Sequence, residues 1–276
     1  MKRLLFLYVA VVLSTGLSFA QDADSLAFVS ADWKTEKLPR GAVAMTARIE
    51  LFGSHQTVSV VRYRSGRFYT RIVQTRDLTP TSTTAKGLGA VAAVNAGYWN
   101  VRKVEPSTYV RIDGHDCSRT ESAETFRVNG ILTISKRKLD VFECDTTRYG
   151  YYAVRYDNIL ASGPVLIDDG REFDYSDRTE KFFRRHPRSV IGSTARGEVV
   201  MIAVDGRFKG DAEGMTVDEL VKVCRWLGLV DAINLDGGGS TTLWNSVGGI
   251  MNHPYDNKRY DHEGERAVSS CIVALP

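Results

Sequence analysis

Four apolar runs in this 276-residue chain each halt at a polar turn that contains glycine. The turns are Asn95-Ala96-Gly97-Tyr98-Trp99, Ser162-Gly163-Pro164, Asp205-Gly206-Arg207 and Asp236-Gly237-Gly238-Gly239-Ser240-Thr241. Short apolar runs bounded by glycine and polar residues mark buried strands. Polar residues at the ends of such strands are also how many folds assemble a site. The pattern therefore constrains fold and function together: a sheet protein whose chemistry sits at strand ends.

The remaining periodicity agrees. Strands are expected over Thr57 to Tyr63 and Phe68 to Val73, split by the turn signal Ser65-Gly66. Ser189 to Ser193 and Glu198 to Val204 form a pair joined through Ala195-Arg196-Gly197. The second of these is almost wholly apolar and belongs at the centre of a sheet. Asn129-Gly130, between Phe126-Arg127-Val128 and Ile131 to Ile134, is the strongest hairpin signal in the chain. Val268 to Leu275 reads as a terminal strand. One helix is well marked: Thr216 and Glu219 form a capping box, Val217, Leu220, Val221, Cys224 and Leu227 share a face, and Gly228 is placed to end it. Strands outnumber helices and most connections look like hairpins. The expected fold class is α+β, a single domain with a mainly antiparallel or mixed β-sheet and a few packed helices.

The N-terminus has its own logic. Lys2 and Arg3 precede an apolar run from Leu4 to Leu13, and Ser18-Phe19-Ala20 supplies small residues for cleavage. Residues 1–20 therefore read as a signal peptide. The run is shorter than the ~20 residues that cross a bilayer. The expectation is an exported protein, periplasmic or extracellular, with no integral membrane segment in the mature chain. Residues 21–41 are polar and mixed, an irregular lead-in, and the folded domain is expected over 42–276. Net charge of +3 is too small to imply nucleic acid, and 43% hydrophobic with 25% charged residues is ordinary for a globular domain. Four cysteines, Cys117, Cys144, Cys224 and Cys271, allow three full pairings between which the spacing does not choose. None of them forms the close pair of a zinc site.

Asp236 to Thr241 is the sharpest chemical candidate. Three successive glycines cost backbone entropy, which makes sense where the chain must bend tightly and approach a ligand. Successive N–H groups in such a turn can converge on an anion. Asp205 and Asp236 both follow apolar strands, and two carboxylates are the usual equipment for glycoside hydrolysis; each is equally able to cap its own turn. In Arg184-Arg185-His186-Pro187-Arg188, proline stiffens a cationic run that leads into a core strand. The Arg188 fork suits a phosphate. His186 is a proton donor, a phosphate ligand or a surface histidine. Glu265 and Arg266 form a salt bridge or line the same pocket. Tyr98 and Trp99 stack on a sugar or fill the core.

Taken together and in order, these segments resemble the phosphodiester glycosidase family. The resemblance rests on Asn95 to Trp99, Ser162-Gly163-Pro164-Val165-Leu166, His186 to Gly192, Asp205-Gly206-Arg207, Gly214-Met215-Thr216, Asn234 to Thr241 and Gly264-Glu265-Arg266. It runs from about Ala90 to the C-terminus and is poor over 101–160. Ala96 departs from the glycine that the family carries at that position. The resemblance implies hydrolysis of a sugar 1-phosphate diester at the anomeric carbon, in envelope or host glycans. Asp205, Asp236, Arg188 and His186 would then be catalytic. Asn95, Gly97, Gly163, Arg207, Gly237, Gly238, Gly239, Ser240, Thr241, Glu265 and Arg266 would bind substrate.

Two other functions fit the same residues. One is a metal-dependent phosphodiesterase in which Asn95, Asp205 and Asp236 hold a divalent cation. The other is a non-catalytic binder of envelope glycans. No cofactor is asserted for the first reading, and a divalent cation stays open as an alternative.

Overall fold

The computed structural model describes residues 23–100, 102–135 and 137–276. The expected signal peptide lies outside them. Among the described residues, no helix is long and apolar enough to cross a membrane.

An eight-stranded sheet forms the body of the molecule. Its spatial order is Lys34–Lys37, Val43–Leu51, Ser54–Arg64, Glu198–Val204, Arg188–Thr194, Leu229–Asn234, Val165–Asp168 and Arg171–Glu172. Every neighbouring pair runs antiparallel. A five-stranded sheet orders Gly249–Ile250, Leu243–Asn245, Ala92–Asn95, Ala267–Leu275 and Tyr69–Pro80. Another contains Lys138–Glu143, Gly130–Ser135, Ile159–Ser162, Val110–Ile112 and His115–Ser118. These pairings are antiparallel too. The fold is α+β and mostly antiparallel, as the sequence implies.

Two cores explain the composition of the central strands. One lies between the large sheet and both smaller ones, and gathers Val61, Ile191, Met201, Ile233, Val94, Ile272, Leu132 and Leu160. The other lies on the opposite face of the large sheet, under helices Ala23–Val29 and Val217–Trp226. Along Glu198–Val204, Val199, Met201 and Ala203 enter the first core, while Val200, Ile202 and Val204 enter the second. A strand with both faces covered has no solvent side, so its sequence does not alternate. Each fully buried large aliphatic side chain contributes about 1.5–3 kcal/mol through transfer from water.

The helix Val217–Trp226 forms as its caps dictate. The Glu219 amide donates to Thr216 Oγ1 at 3.1 Å and the Thr216 amide to Glu219 Oε2 at 2.9 Å. Gly228 ends it in the left-handed region, at φ +77°.

Two local expectations are corrected. Residues 23–41 are not irregular: they hold a helix, Ala23–Val29, and an edge strand, Lys34–Lys37. The helix is anchored by buried Phe28 against Trp33 and Trp226. The strand reads Lys-Thr-Glu-Lys, which carries no apolar signal because a charged edge resists further pairing. Asn129-Gly130 is not a hairpin turn. Asn129 spends its side chain on distant partners, the Val165 amide (2.8 Å) and the Tyr175 hydroxyl (3.0 Å), and Gly130–Ser135 pairs with Lys138–Glu143 instead. All four cysteines are free thiols, and only Cys117 is exposed.

The register sets where the site lies. Arg188 pairs with Val204 and Val190 with Asn234, so three strands of the large sheet present their turns at one end. The smaller sheet joins there, through the Asp236 amide donating to Ala96 O at 2.9 Å.

Candidate active site

A cleft of about 310 Å³ opens at that end, lined by Arg127, Lys181, Phe182, His186, Pro187, Arg188, Arg207, Asp236 to Gly239 and Arg266. It is strongly cationic. Glu124 matches Arg127 (2.6 Å) and Asp256 matches Arg266 (2.5 Å). Among the described residues, Lys181, Arg188 and Arg207 have no carboxylate within ion-pair distance. Asp236 is the one carboxylate among the lining residues.

Arg188 begins its strand with a side chain only 2% exposed. Nε donates to Met215 O (3.0 Å), and Nη2 donates to Phe182 O (2.8 Å) and Arg184 O (2.6 Å). Three carbonyls thus fix the guanidinium plane, and Nη1 takes no part in those bonds. Burial lowers its pKa to about 10, which leaves it charged at neutral pH. A buried cation held by carbonyls alone, without a counter-charge, favours an anionic ligand beside it.

His186 donates from Nε2 to Lys181 O at 2.9 Å, which assigns Nδ1, 3.4 Å from Arg207 Nη2, as the acceptor. Burial lowers its pKa, followed in the same direction by Arg188 and Arg207. It is a neutral ring with its one N–H already spent, which does not suit a proton donor to the cleft.

Asp236 sits where strand Leu229–Asn234 turns. Burial pushes its pKa up to about 6, against the Ser240 hydroxyl, Arg127, Arg266 and the Gly237 amide, which all favour the carboxylate. A carboxyl poised near neutrality in a cleft is a functional candidate on physical grounds.

The Asp236 to Thr241 turn spends part of its donor set internally. Gly238 N donates to Pro187 O (3.0 Å), Ser240 N to Gly237 O (3.2 Å) and Thr241 N to Gly238 O (3.4 Å), so one of the three glycine amides and the two that follow the glycines are engaged. The glycines also make room. A Cβ on Gly237 would lie 2.6 Å from Pro187 O, and one on Gly238 3.0 Å from Arg207 Nη2. On Gly239 it would lie 2.2 Å from Asp256 Oδ1 and 2.3 Å from Arg266 Nη2. Two arginines press on consecutive backbone positions, and a side chain at either would have to displace them.

Several expected site residues lie behind the cleft. Asn95 is fully buried; Nδ2 donates to Asp236 O (2.6 Å), and Oδ1 accepts from Ser189 Oγ (2.6 Å) and Thr242 N (3.0 Å). Gly97 packs with its amide on Ser270 Oγ, and Gly163 offers its carbonyl to Tyr98 Oη (2.6 Å) and Asn234 Nδ2 (2.9 Å). Thr241 is buried. Glu265 faces away, accepting from Ser82 N (2.8 Å) and Ser82 Oγ (2.5 Å). Asp205 is buried under His253, which reaches it through its backbone N (2.9 Å) and Nδ1 (2.6 Å). Asn95, Glu265 and Asp205 are thus engaged within the fold, whereas the buried Thr241 hydroxyl has no hydrogen-bond partner among the described residues. Tyr98 is buried beneath the Arg127 guanidinium, 3.9 Å from its ring centroid, and is not a sugar platform.

Sequence reading passed over Arg127, Lys181 and Phe182. Arg127 lies in the stretch that resembles no family motif. Phe182 follows a run of surface-type charges and shows no period. Its ring meets Phe126 edge-on at 5.9 Å and forms the apolar wall of the cleft. A larger hollow, about 580 Å³, lies at the other end of the same strands, and Asp140, Asp168, Asp169, Asp231 and Glu198 give it the wrong charge for a phosphate.

The donor set named for a divalent cation does not assemble. Asn95 and Asp205 are engaged elsewhere, and Asp236 faces the cleft without them.

Comparison with known proteins places these features. Residues 88–275 match the family model described as phosphodiester glycosidase. A curated mouse protein, N-acetylglucosamine-1-phosphodiester alpha-N-acetylglucosaminidase, is 27% identical over 105 residues, 36% of this chain. The match spans about a fifth of that relative's length (20%). Among solved structures, the zebrafish N-acetylglucosamine-1-phosphodiester alpha-N-acetylglucosaminidase catalytic domain, auto-inhibited by its pro-peptide, aligns with a TM-score of 0.66 at 18% identity. That alignment covers 93% of this chain and 92% of that one. A hypothetical protein from Synechocystis aligns at 0.63 and 16% identity, covering 88% of this chain and 63% of that one. These structural likenesses are of fold.

Proposed function

Because the chain belongs to the phosphodiester glycosidase family, we propose that it hydrolyses a sugar 1-phosphate diester at the anomeric carbon. Its substrates in this reading are envelope or host glycans met outside the cytoplasm, which the signal-like N-terminus supports. The observation that carries the reading is the charge arrangement of the cleft: three cations without carboxylate partners beside one carboxylate with a pKa near 6.

In the proposed reaction the bond from C1 to the phosphate oxygen breaks, and the phosphate keeps its electrons. Water supplies a hydroxyl to C1 and a proton to the medium. The products are a free sugar and a phosphate monoester. A phosphate is a good leaving group and needs little protonation, so a neutral His186 is no handicap. Arg188 and Arg207 meet the charge that grows on the leaving oxygen. Asp236, as carboxylate, faces the positive charge that grows at C1. Phe182 offers an apolar face to the sugar ring.

Hydrolysis of an N-acetylhexosamine 1-phosphodiester in ¹⁸O-water tests this. Label in the sugar supports cleavage at carbon. Label in the phosphate would mean attack at phosphorus, a phosphodiesterase, and would end the proposal. Substrate binding without turnover in the wild-type protein would leave a glycan binder.

A further inference from the structure

The residues from 252 to 266 form neither helix nor strand, yet they carry Arg266, paired with Asp256, to the cleft. Among the described residues, their one backbone–backbone bond within the loop runs from Lys258 N to Tyr255 O (2.9 Å). Loops of that length without regular structure keep a fixed shape only through side chains. Here the side chains form a continuous stack. The His253 ring lies on Tyr260 at 3.8 Å and on His262 at 4.4 Å. Tyr260 meets Phe208 edge-on at 5.2 Å, and Phe208 meets Tyr255 at 5.3 Å. Arg207 lies over Tyr255, with its guanidinium carbon 5.3 Å from the ring centroid.

The stack has polar anchors at Tyr260, whose hydroxyl meets Thr57 Oγ1 at 2.7 Å, and at His262, whose Nδ1 meets Asn252 O at 2.8 Å, but one anchor alone ties it to the segment that carries Arg207. Asp205 has a side chain with 0% exposure and accepts both the backbone N–H of His253 and its Nδ1. Asp205 precedes Gly206 and Arg207, and His253 begins the loop that ends at Arg266. The pair therefore ties the two chain segments whose arginines flank Gly238 and Gly239.

We infer that His253, clamped by Asp205, is a positioning residue that sets the spacing between Arg207 and Arg266 across the glycine turn. It touches no substrate and acts through the loop. Its Nδ1–H does the work, so an asparagine, whose side-chain amide reaches a similar point, replaces it better than alanine. Displacement of a charged group by about 1 Å in such a site can cost on the order of a hundredfold in rate. The loss falls on kcat more than on KM if the arginines act chiefly on developing charge.

The test uses the full folded chain with His253→Ala, His253→Asn and Asp205→Asn. Hydrogen exchange over residues 252–266 reads the clamp directly, and calorimetric titration with inorganic phosphate reads the cleft. Both are independent of any turnover. The expected result is faster exchange in that loop and weaker phosphate binding for His253→Ala, with His253→Asn close to wild type. Asp205→Asn should loosen the same loop from the other side, and it decides the matter if His253→Ala does not fold. Unchanged exchange in the loop would overturn the inference, as would equal losses in His253→Ala and His253→Asn. A third arm, kcat and KM on a sugar 1-phosphodiester, rests on the proposed function. Wild-type inactivity there would remove that function while the exchange and phosphate arms still judge the clamp.

Discussion

Asn95 holds Asp236 by its backbone: the amide Nδ2 donates to the Asp236 carbonyl at 2.6 Å, while the carboxylate of the same residue turns into the cleft. The buried amide also accepts from Ser189 and Thr242, so one side chain fastens three segments.

Replacing Asn95 should therefore act on stability and activity together. Asn95→Ala leaves buried donors and an acceptor without partners, a loss of about 2 kcal/mol. In a domain of this size that lowers the melting temperature by roughly 4–8 °C. Thermal denaturation checks it; an unchanged melting temperature would mean that the network is idle.

Gly239→Ala separates fit from chemistry. Its Cβ would fall within 2.3 Å of both Asp256 Oδ1 and Arg266 Nη2, so the ion pair must move. Turnover should drop on the order of a hundredfold, the cost of a misplaced charged group. Gly66→Ala, where nothing lies within 4 Å, is the control and should leave turnover alone.

The titration of Asp236 gives opposite signs for rate and stability. Its folded pKa, about 6, lies above the ordinary 3.8 because burial disfavours the charge. Ionisation therefore costs stability, and that cost appears as pH rises from the unfolded value through about 6. The rate on a diester should rise over the same interval, because the carboxylate is the active form. Asp236→Asn should lose turnover while melting no lower than wild type at neutral pH. A rate that falls through pH 6 would make Asp236 an acid and reverse its assigned role.

Arg207 is a cleaner probe of the phosphate side than Arg188. Arg188→Ala removes three bonds to carbonyls that shape the cleft, so it should slow every substrate and also lower the melting temperature. Arg188→Lys keeps charge without the fork and should recover only part. Arg207 is exposed and bonds only weakly to His186, at 3.4 Å. Arg207→Ala should cost about a hundredfold on a sugar 1-phosphodiester. On an aryl glycoside with an uncharged leaving group it should cost little. Equal losses on the two substrates would detach Arg207 from the leaving group.

Strand ends were legible in the chain because burial on both faces leaves no room for polar residues, as Glu198–Val204 shows. The capping box at Thr216 and Glu219 was legible because it is local. What sequence could not resolve was direction. Asp205 and Asp236 follow similar strands and begin similar Asp-Gly turns. One points under His253 and the other into the cleft, and that difference depends on a loop far along the chain. Asn95 and Glu265 looked like contacts to substrate because a fastening residue and a binding residue occupy the same kind of turn. Arg127 was invisible because its place is set by Tyr98 and Glu124, not by its neighbours in sequence.

The strands that end at the cleft begin beside the acidic hollow. Arg188 and Thr194 are the two ends of one strand, and Glu198 opens the strand that leads to Arg207. Seven residues of strand span roughly 20 Å, which is the separation between the positive and negative ends. Charge of opposite sign thus gathers at the two ends of these strands, with the cationic cleft at one of them. Such an arrangement should turn an approaching polyanion toward the cleft and disfavour encounters at the acidic end. Added salt shortens the reach of that field and should slow capture of a charged ligand while leaving the bound geometry intact.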